Sequence, residues 1–234
     1  MNQETFQIFL WVMSAVALVV FIALYFVKAG YGMFRTASWG ISINNKLAWV
    51  LMEAPVFIVM FGLWGKSGAG FAVPVYFFFL LFQLHYLQRA FFFSLLLKGK
   101  SRMPVAIMAM GIVFNLLNGM MQAGGLFYFA PEGLYADGWA YLLKPHALLG
   151  VILFFAGMFV NLHSDYVIRH LRKPGDTKHY LPGKGLYRYV TSANYFGELV
   201  EWTGFAILTA SPAAWVFVWW TFANLVPRAD ALPR

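Results

Sequence analysis

Residues 6 to 27, FQIFLWVMSAVALVVFIALYFV, run without one charged side chain. About 20 apolar residues wound as a helix cross the hydrocarbon core of a bilayer. In lipid no water can bond an exposed backbone, so a crossing segment must be a helix or part of a closed barrel. Continuous runs like this one lack the two-residue alternation of a barrel strand. Similar runs recur along the chain, which is 61% hydrophobic and only 11% charged, against about 25% charged in soluble domains. The sequence therefore predicts an all-α integral membrane protein.

Seven transmembrane helices are expected, at about Phe6–Val27, Leu47–Trp64, Phe71–Leu97, Pro104–Phe129, His146–Ile168, Ser192–Thr209 and Ala213–Val226. Ser192 reads as an N-cap, and Pro212 as the break between the last two. The loop charges orient them. Lys28, Arg35 and Lys46 lie in loop 1, Lys98, Lys100 and Arg102 in loop 3. Loop 5 carries Arg169, Arg172, Lys173, Lys178, Lys184 and Arg188 against Asp176, whereas the loops of the other side hold only Lys66 and Lys144 with two acids. Basic loops stay cytoplasmic, so the N-terminus is expected outside and the C-terminus in the cytoplasm. The N-terminal MNQETFQIF has no basic region and no A-x-A-like site follows, so the first run reads as a retained span and not a signal peptide. No internal repeat or linker divides the chain, and residues 1–234 form one domain. Nothing separates a bacterial inner membrane from an endoplasmic reticulum, and no obligate protein partner is implied.

The chain has no cysteine, which excludes disulfides, thiolate nucleophiles and Cys-ligated metal; no metal site is expected. Its net charge of +8 sits on a few loop residues, where it serves topology and anionic headgroups or phosphates and not nucleic acid.

Ionisable groups inside a span cost about 2.5–3.5 kcal/mol each and are functional candidates. Glu53 lies mid-span with no basic residue a turn away, so it must be protonated, paired across helices or facing water. His85, Tyr86 and Arg89 cluster on span 3 at helical spacing, and a phenol beside a carboxylic acid can polarise a carbonyl. The longest polar passage, Asn161–Trp202, holds six of the seventeen Lys and Arg, four of the nine Asp and Glu and three of the five His. In it, Asn161, Asp165 and Arg169 share one helix face. Asn194, Glu198 and Glu201 form one stripe of the sixth helix. A solvated cytoplasmic loop explains Lys178 and Lys184, but not two acids and an amide on a helix entering the bilayer. Carboxylates and amides suit ribose hydroxyls, and Arg and Lys suit phosphates, so these residues look like a nucleotide cofactor site. No G-x-G-x-x-G follows a strand, so it is not a Rossmann site.

The stretch NLHSDYVIRHLRKPGD, followed by GLYRYVTSANYFGELVEWTGFA, closely resembles the C-terminal half of the steroid 5α-reductases (3-oxo-5α-steroid 4-dehydrogenases). Upstream, LAWVLMEAPVF and LHYLQRAFFFSLL resemble the segments holding that family's catalytic Glu and Tyr. The resemblance covers essentially the whole chain and suits a bacterial homologue. It implies an NADPH-dependent membrane enzyme that reduces the Δ4 double bond of 3-oxo steroids. It further implies that Glu53 and Tyr86 hydrogen-bond the 3-ketone, with Met52, His85 and Arg89 on the substrate side in spans 1–4, about residues 6–129. Asn161, Asp165, Arg169, Arg172, Asn194 and Glu198 fall on cofactor positions, and Arg228 in NLVPRA matches a further NADPH-binding Arg. With Lys98, Lys100, Lys173 and Glu201 they make a cofactor side, in spans 5–7 and loop 5, about residues 146–228. An apolar steroid, or another enone lipid, is expected to enter from the bilayer among the membrane lipids.

The chain also departs from the family. Met52 stands where animal enzymes often carry Gln, and Phe93 where relatives have Tyr. After Arg228 it reads ADALPR where the family continues with a His-rich, Tyr-containing segment, so fewer tail contacts to the cofactor are expected. Other readings are a membrane reductase of an enoyl thioester or polyprenyl substrate, and a transporter coupled through Glu53 and Arg89. The transporter would call for inverted repeats, which the sequence lacks. An isoprenylcysteine-type methyltransferase is disfavoured, because S-adenosylmethionine has no phosphates for the Arg and Lys set to hold.

Overall fold

Charge-free runs have no way to satisfy their backbone in lipid except as helices, and the computed structural model, which describes residues 1–27, 39–98, 101–171 and 180–232, is a bundle of them. Helix α1 is Gln3–Phe26, capped by the Asn2 side chain, which accepts from the Thr5 N–H at 2.8 Å. Helix α2 is Asn45–Ser67, capped by Asn44 and closed by Gly68 in the left-handed region at φ 73°. Next come α3 (Val75–Leu96) and α4 (Val105–Tyr128). A short α5 (Trp139–Leu142) leads to α6 (Pro145–Arg169). After a 3-10 turn at Gly185–Arg188 follow α7 (Ala193–Thr209) and α8 (Pro212–Asp230). Five of these, α1, α2, α3, α4 and α6, are long and apolar enough to cross a membrane. The chain is a multi-pass membrane protein.

The all-α class holds, and two expectations at helix ends need correcting. One short ribbon accompanies the helices: β1 (Ser42–Asn44) pairs antiparallel with β2 (Arg102–Pro104), with Ile43 opposite Met103. Each strand runs straight into a helix, α2 or α4, so the ribbon ties the starts of both together. Ser192 precedes α7, but its side chain makes no capping bond. Helix α8 does not end at Val226; it continues past Pro227 to Asp230, because a proline in the last turn forfeits only one backbone bond. Lys28, Arg35, Lys100, Arg172, Lys173, Asp176 and Lys178 lie outside the described residues.

The helix directions follow from residue pairs. Glu53 and Val59 of α2 meet Asn115 and Gly119 of α4, so these two run parallel. Ser14 and Phe21 of α1 meet Trp219 and Phe222 of α8, again parallel. Phe57 and Trp49 of α2 meet Phe91 and Phe93 of α3, and Phe82 and Arg89 of α3 meet Phe205 and Glu198 of α7, so α3 opposes both.

The tightest packing is between α6 and α7. Glycines 150 and 157 of α6 face glycines 204 and 197 of α7, each pair a heptad apart. A Cβ at Gly150 would stand 2.5 Å from the Leu208 backbone N, and one at Gly197 2.5 Å from that of Asn161. Small residues let membrane helices approach closely, and that packing replaces the hydrophobic drive that lipid removes. The close approach sets Asn161 and Asp165 of α6 beside Asn194 and Glu198 of α7. Gly197→Ala should therefore lower the thermal unfolding midpoint in detergent by several degrees, an overpacking cost of about 1–3 kcal/mol. Gly62→Ala, with nothing within 4 Å of the added methyl, should not lower it. Equal midpoints for both variants would contradict the glycine contact.

Candidate active site

Five helices, α2, α3, α4, α6 and α7, bring the polar side chains together. Helix α4 carries Asn115, Asn118 and Gln122 on one face at i, i+3 and i+7 spacing. Asn115 Nδ2 donates to Glu53 Oε2 of α2 at 3.2 Å and to the Met52 carbonyl at 2.7 Å. Asn118 Nδ2 donates to the Tyr86 hydroxyl of α3 at 3.0 Å. Glu53 and Tyr86 thus converge on α4 one turn apart. The Tyr86 ring is held by Phe82, His85 and Trp202, at centroid distances of 4.8, 5.0 and 5.8 Å.

Directly past Tyr86, α3 opens into a π-helical turn at Gln88–Phe93, a distortion common at functional sites. That turn carries Arg89. Its Nη1 lies 3.4 Å from Asp165 Oδ2 of α6 and its Nη2 3.7 Å from Glu198 Oε2 of α7. The guanidinium is flanked by the rings of Phe93 and Trp49, at 4.4 and 5.1 Å. One turn earlier, His85 Nδ1 and Glu201 Oε1 are hydrogen-bonded at 2.7 Å, both side chains buried. An interhelical hydrogen bond in lipid returns on average about 0.6 kcal/mol, well below the insertion cost of an ionisable group. Stability alone does not account for six such groups, Glu53, His85, Arg89, Asp165, Glu198 and Glu201, in one place.

Towards the end of α6, Asn161 Nδ2 donates to the Asn194 carbonyl at 2.9 Å. The Tyr187 hydroxyl of the connecting turn donates to Asn194 Oδ1 at 3.2 Å. Burial pushes the Tyr187 phenol above its ordinary range, so it remains a neutral donor. Arg169 Nη1 and the hydroxyls of Ser164 and Ser192 are buried with no hydrogen-bond partner among the described residues. The Arg228 guanidinium lies 5.6 Å from the Tyr195 ring. A buried Arg169 nitrogen with no partner among the described residues suits an anionic, oxygen-rich ligand.

The structure therefore brings Glu53, Tyr86, His85, Arg89, Asp165, Glu198 and Glu201 into one interior network, with Asn161, Asn194 and Arg169 adjoining it. Some expected site residues stand elsewhere. The Met52 side chain packs with Ala48, Met103 and Ile107 under the ribbon and contributes its backbone carbonyl. Lys98 is exposed beyond the end of α3. Lys100, Arg172 and Lys173 are outside the described residues. The expected division between a substrate side and a cofactor side is bridged, since His85 and Arg89 reach α7 and α6. Asn115, Asn118 and Gln122 were absent from the expected site; their spacing on one face of span 4 was the available signal.

Residues 101–232 match the family model described as 3-oxo-5-alpha-steroid 4-dehydrogenase. The chain is 35% identical over 222 residues to 3-oxo-5-alpha-steroid 4-dehydrogenase 1 of Bos taurus, covering 92% of this chain and 84% of that protein. Against steroid 5-alpha-reductase DET2 of Gossypium hirsutum it is 36% identical over 235 residues, covering 98% and 89%. Against 3-oxo-5-alpha-steroid 4-dehydrogenase 2 of Sus scrofa it is 38% identical over 214 residues, covering 89% and 81%.

Arg89→Met would leave Asp165 and Glu198 facing one another without the guanidinium between them. Removing one partner of a buried ion pair costs about 3–5 kcal/mol. The variant should unfold at a clearly lower temperature in detergent, and adding Asp165→Asn should recover part of the loss. Unchanged unfolding in the single variant would mean that the network does not hold the helices together.

Proposed function

The chain belongs to the 3-oxo-5-alpha-steroid 4-dehydrogenase family of oxidoreductases, which act on CH–CH groups, and on that footing we propose that it reduces the Δ4 double bond of 3-oxo steroids with NADPH. The observation that carries the reading is the convergence of Glu53 and Tyr86 on one face of α4, beside a charged network that reaches α6 and α7. The chain crosses the membrane seven times, with α7 and α8 as the sixth and seventh spans, the N-terminus outside and the C-terminus cytoplasmic. The parallel pairs α1–α8 and α2–α4, and the opposed directions of α3 against α2 and α7, support that count.

The cofactor is held on the α6–α7 side. Arg169, whose Nη1 has no hydrogen-bond partner among the described residues, and Arg228 take phosphate, with Lys98, Lys100, Arg172 and Lys173 completing the basic set. Asn161, Asp165, Asn194 and Glu198 provide amide and carboxylate groups for hydroxyl and amide functions, while Glu201 holds His85. When bound, the reduced nicotinamide supplies a hydride for C5 of the steroid. The chain's own residues do the rest. Glu53 and Tyr86 donate to the 3-oxo oxygen, draw electron density from the conjugated system and leave C5 electron-poor. They then hold the negative charge that gathers on that oxygen as the enolate forms, and a proton added at C4 completes the reduction and restores the ketone. His85 and Arg89 line the substrate end of the same network. The apolar substrate enters from the bilayer. The same pair would serve another conjugated lipid carbonyl, and the assay separates the two.

The test is NADPH oxidation by the purified protein in detergent on adding testosterone or progesterone, with the product identified by mass. A 5α-reduced steroid is expected. NADPH binding without steroid reduction would move the substrate to another enone lipid; the absence of both binding and turnover would refute the reading. Glu53→Gln and Tyr86→Phe should each lower kcat at least about tenfold, at or below the usual contribution of a positioned acid, while NADPH affinity is kept. Normal turnover in both would sink the assignment of the pair.

A further inference from the structure

We propose that the amide row of α4, Asn115, Asn118 and Gln122, positions the two acids by fixing which of their atoms have hydrogens left to give. The proposal rests on the reading of Glu53 and Tyr86 above and adds residues that act through them.

The argument is one of hydrogen-bond polarity. A phenol has one hydrogen to donate and lone pairs that accept. A primary amide donates from nitrogen and accepts at oxygen, so the face it turns to a phenol decides which way the bond runs. Had Asn118 presented its oxygen, Tyr86 would donate to it and have no hydrogen for a substrate. Instead Asn118 Nδ2 donates to the Tyr86 hydroxyl at 3.0 Å. Among the described residues no acceptor takes the phenol's own hydrogen.

The orientation of Asn118 is set from outside. Gln122 Nε2 lies 3.0 Å from the Ala213 carbonyl of α8. A backbone carbonyl can only accept, so the nitrogen end of Gln122 must face it. The same nitrogen then donates to Asn118 Oδ1 at 3.5 Å, which turns the Asn118 nitrogen towards Tyr86. Donation therefore runs outward from Gln122, to the Ala213 carbonyl on one side and through Asn118 to the phenol on the other. Gln122 Oε1 is left buried with no partner among the described residues, a poor arrangement for a purely structural amide. Asn115 repeats the device. Its nitrogen is fixed by the Met52 carbonyl at 2.7 Å and donates to Glu53 Oε2 at 3.2 Å. Oε2 is thereby the accepting oxygen, and an acid proton belongs on Oε1.

The experiment is a double-mutant cycle on the full protein, reading kcat with a 3-oxo-Δ4 steroid and NADPH. Asn118→Leu keeps the shape and removes both hydrogen-bonding ends. It should lower kcat about 10- to 100-fold, the range seen when an outer-shell partner is lost, with NADPH affinity and unfolding midpoint kept. Asn118→Asp, whose carboxylate takes the phenol's hydrogen, should lower kcat at least as far. In a Tyr86→Phe background Asn118→Leu should cost nothing further, because no hydroxyl remains to position. Equal losses in both backgrounds would overturn the proposal and leave Asn118 a packing residue, while a low-activity Tyr86→Phe would still uphold the active-site reading. Normal kcat in Tyr86→Phe alone would bring down that reading and this proposal together. If Asn118→Leu does not fold, Gln122→Met, matched in volume, enters the same cycle with the same expected outcomes.

Discussion

The arrangement of this bundle depends on the Arg89 guanidinium between Asp165 and Glu198. In an apolar medium neither acid could stay ionised and unpaired, and an arginine could not shed its charge. Each therefore needs the others, and the three come from α3, α6 and α7. Lipid gives no hydrophobic drive for helices to associate, so this charge network, with the glycine seam of α6 and α7, fixes how the halves of the bundle meet. The aromatic rings of Trp49 and Phe93 beside the guanidinium leave the charge few directions in which to turn.

The spans were legible because absence of charge over about 20 residues is a signal that needs no tertiary context. Their ends shifted by a few residues where caps and prolines act. The β-ribbon was not legible, since three-residue strands have no periodicity to read and are defined only by their pairing. The glycine seam was visible in principle as Gly150, Gly157, Gly197 and Gly204, two heptads in two helices. It went unread because in a uniformly apolar run a glycine does not mark which face it lies on.

The candidate site divided differently. Glu53 stood out as a charge in lipid, Tyr86 by its cluster with His85 and Arg89 and Asp165 by its helix face, and the resemblance brought Arg228 to notice. The pairing of His85 with Glu201 across 116 residues could not be read from spacing, because local periodicity reports one helix face and not what faces it. The sequence pattern put Glu201 with the cofactor residues, whereas its carboxylate turns to α3. Asn115, Asn118 and Gln122 are uncharged, and amides inside spans are easily taken for ordinary interhelical contacts. Their importance lies in the direction of the hydrogen bonds, which only coordinates display.

Adjacent residues on a helix point about 100° apart, by the 3.6-residue turn, and α3 uses that angle. His85 turns to Glu201 of α7, and Tyr86 next to it turns to Asn118 of α4. The π-helical turn that follows lets Arg89 meet α6 and α7 together. One helix therefore stands between the two groups of residues and is pinned from both. Were the charged network and the Glu53–Tyr86 pair on separate, loosely joined elements, loop motion would set their separation. Here Tyr86 and Arg89 stand on one helix, α3, and side-chain bonds tie it to α4, α6 and α7, while Glu53 is tied to α4. In the proposed reaction the clamp on the carbonyl oxygen and the cofactor pocket must hold a fixed distance, since hydride transfer requires reacting atoms in near contact. A shared wedge helix meets that requirement with few residues, which is why the charged side chains of so apolar a chain gather along it.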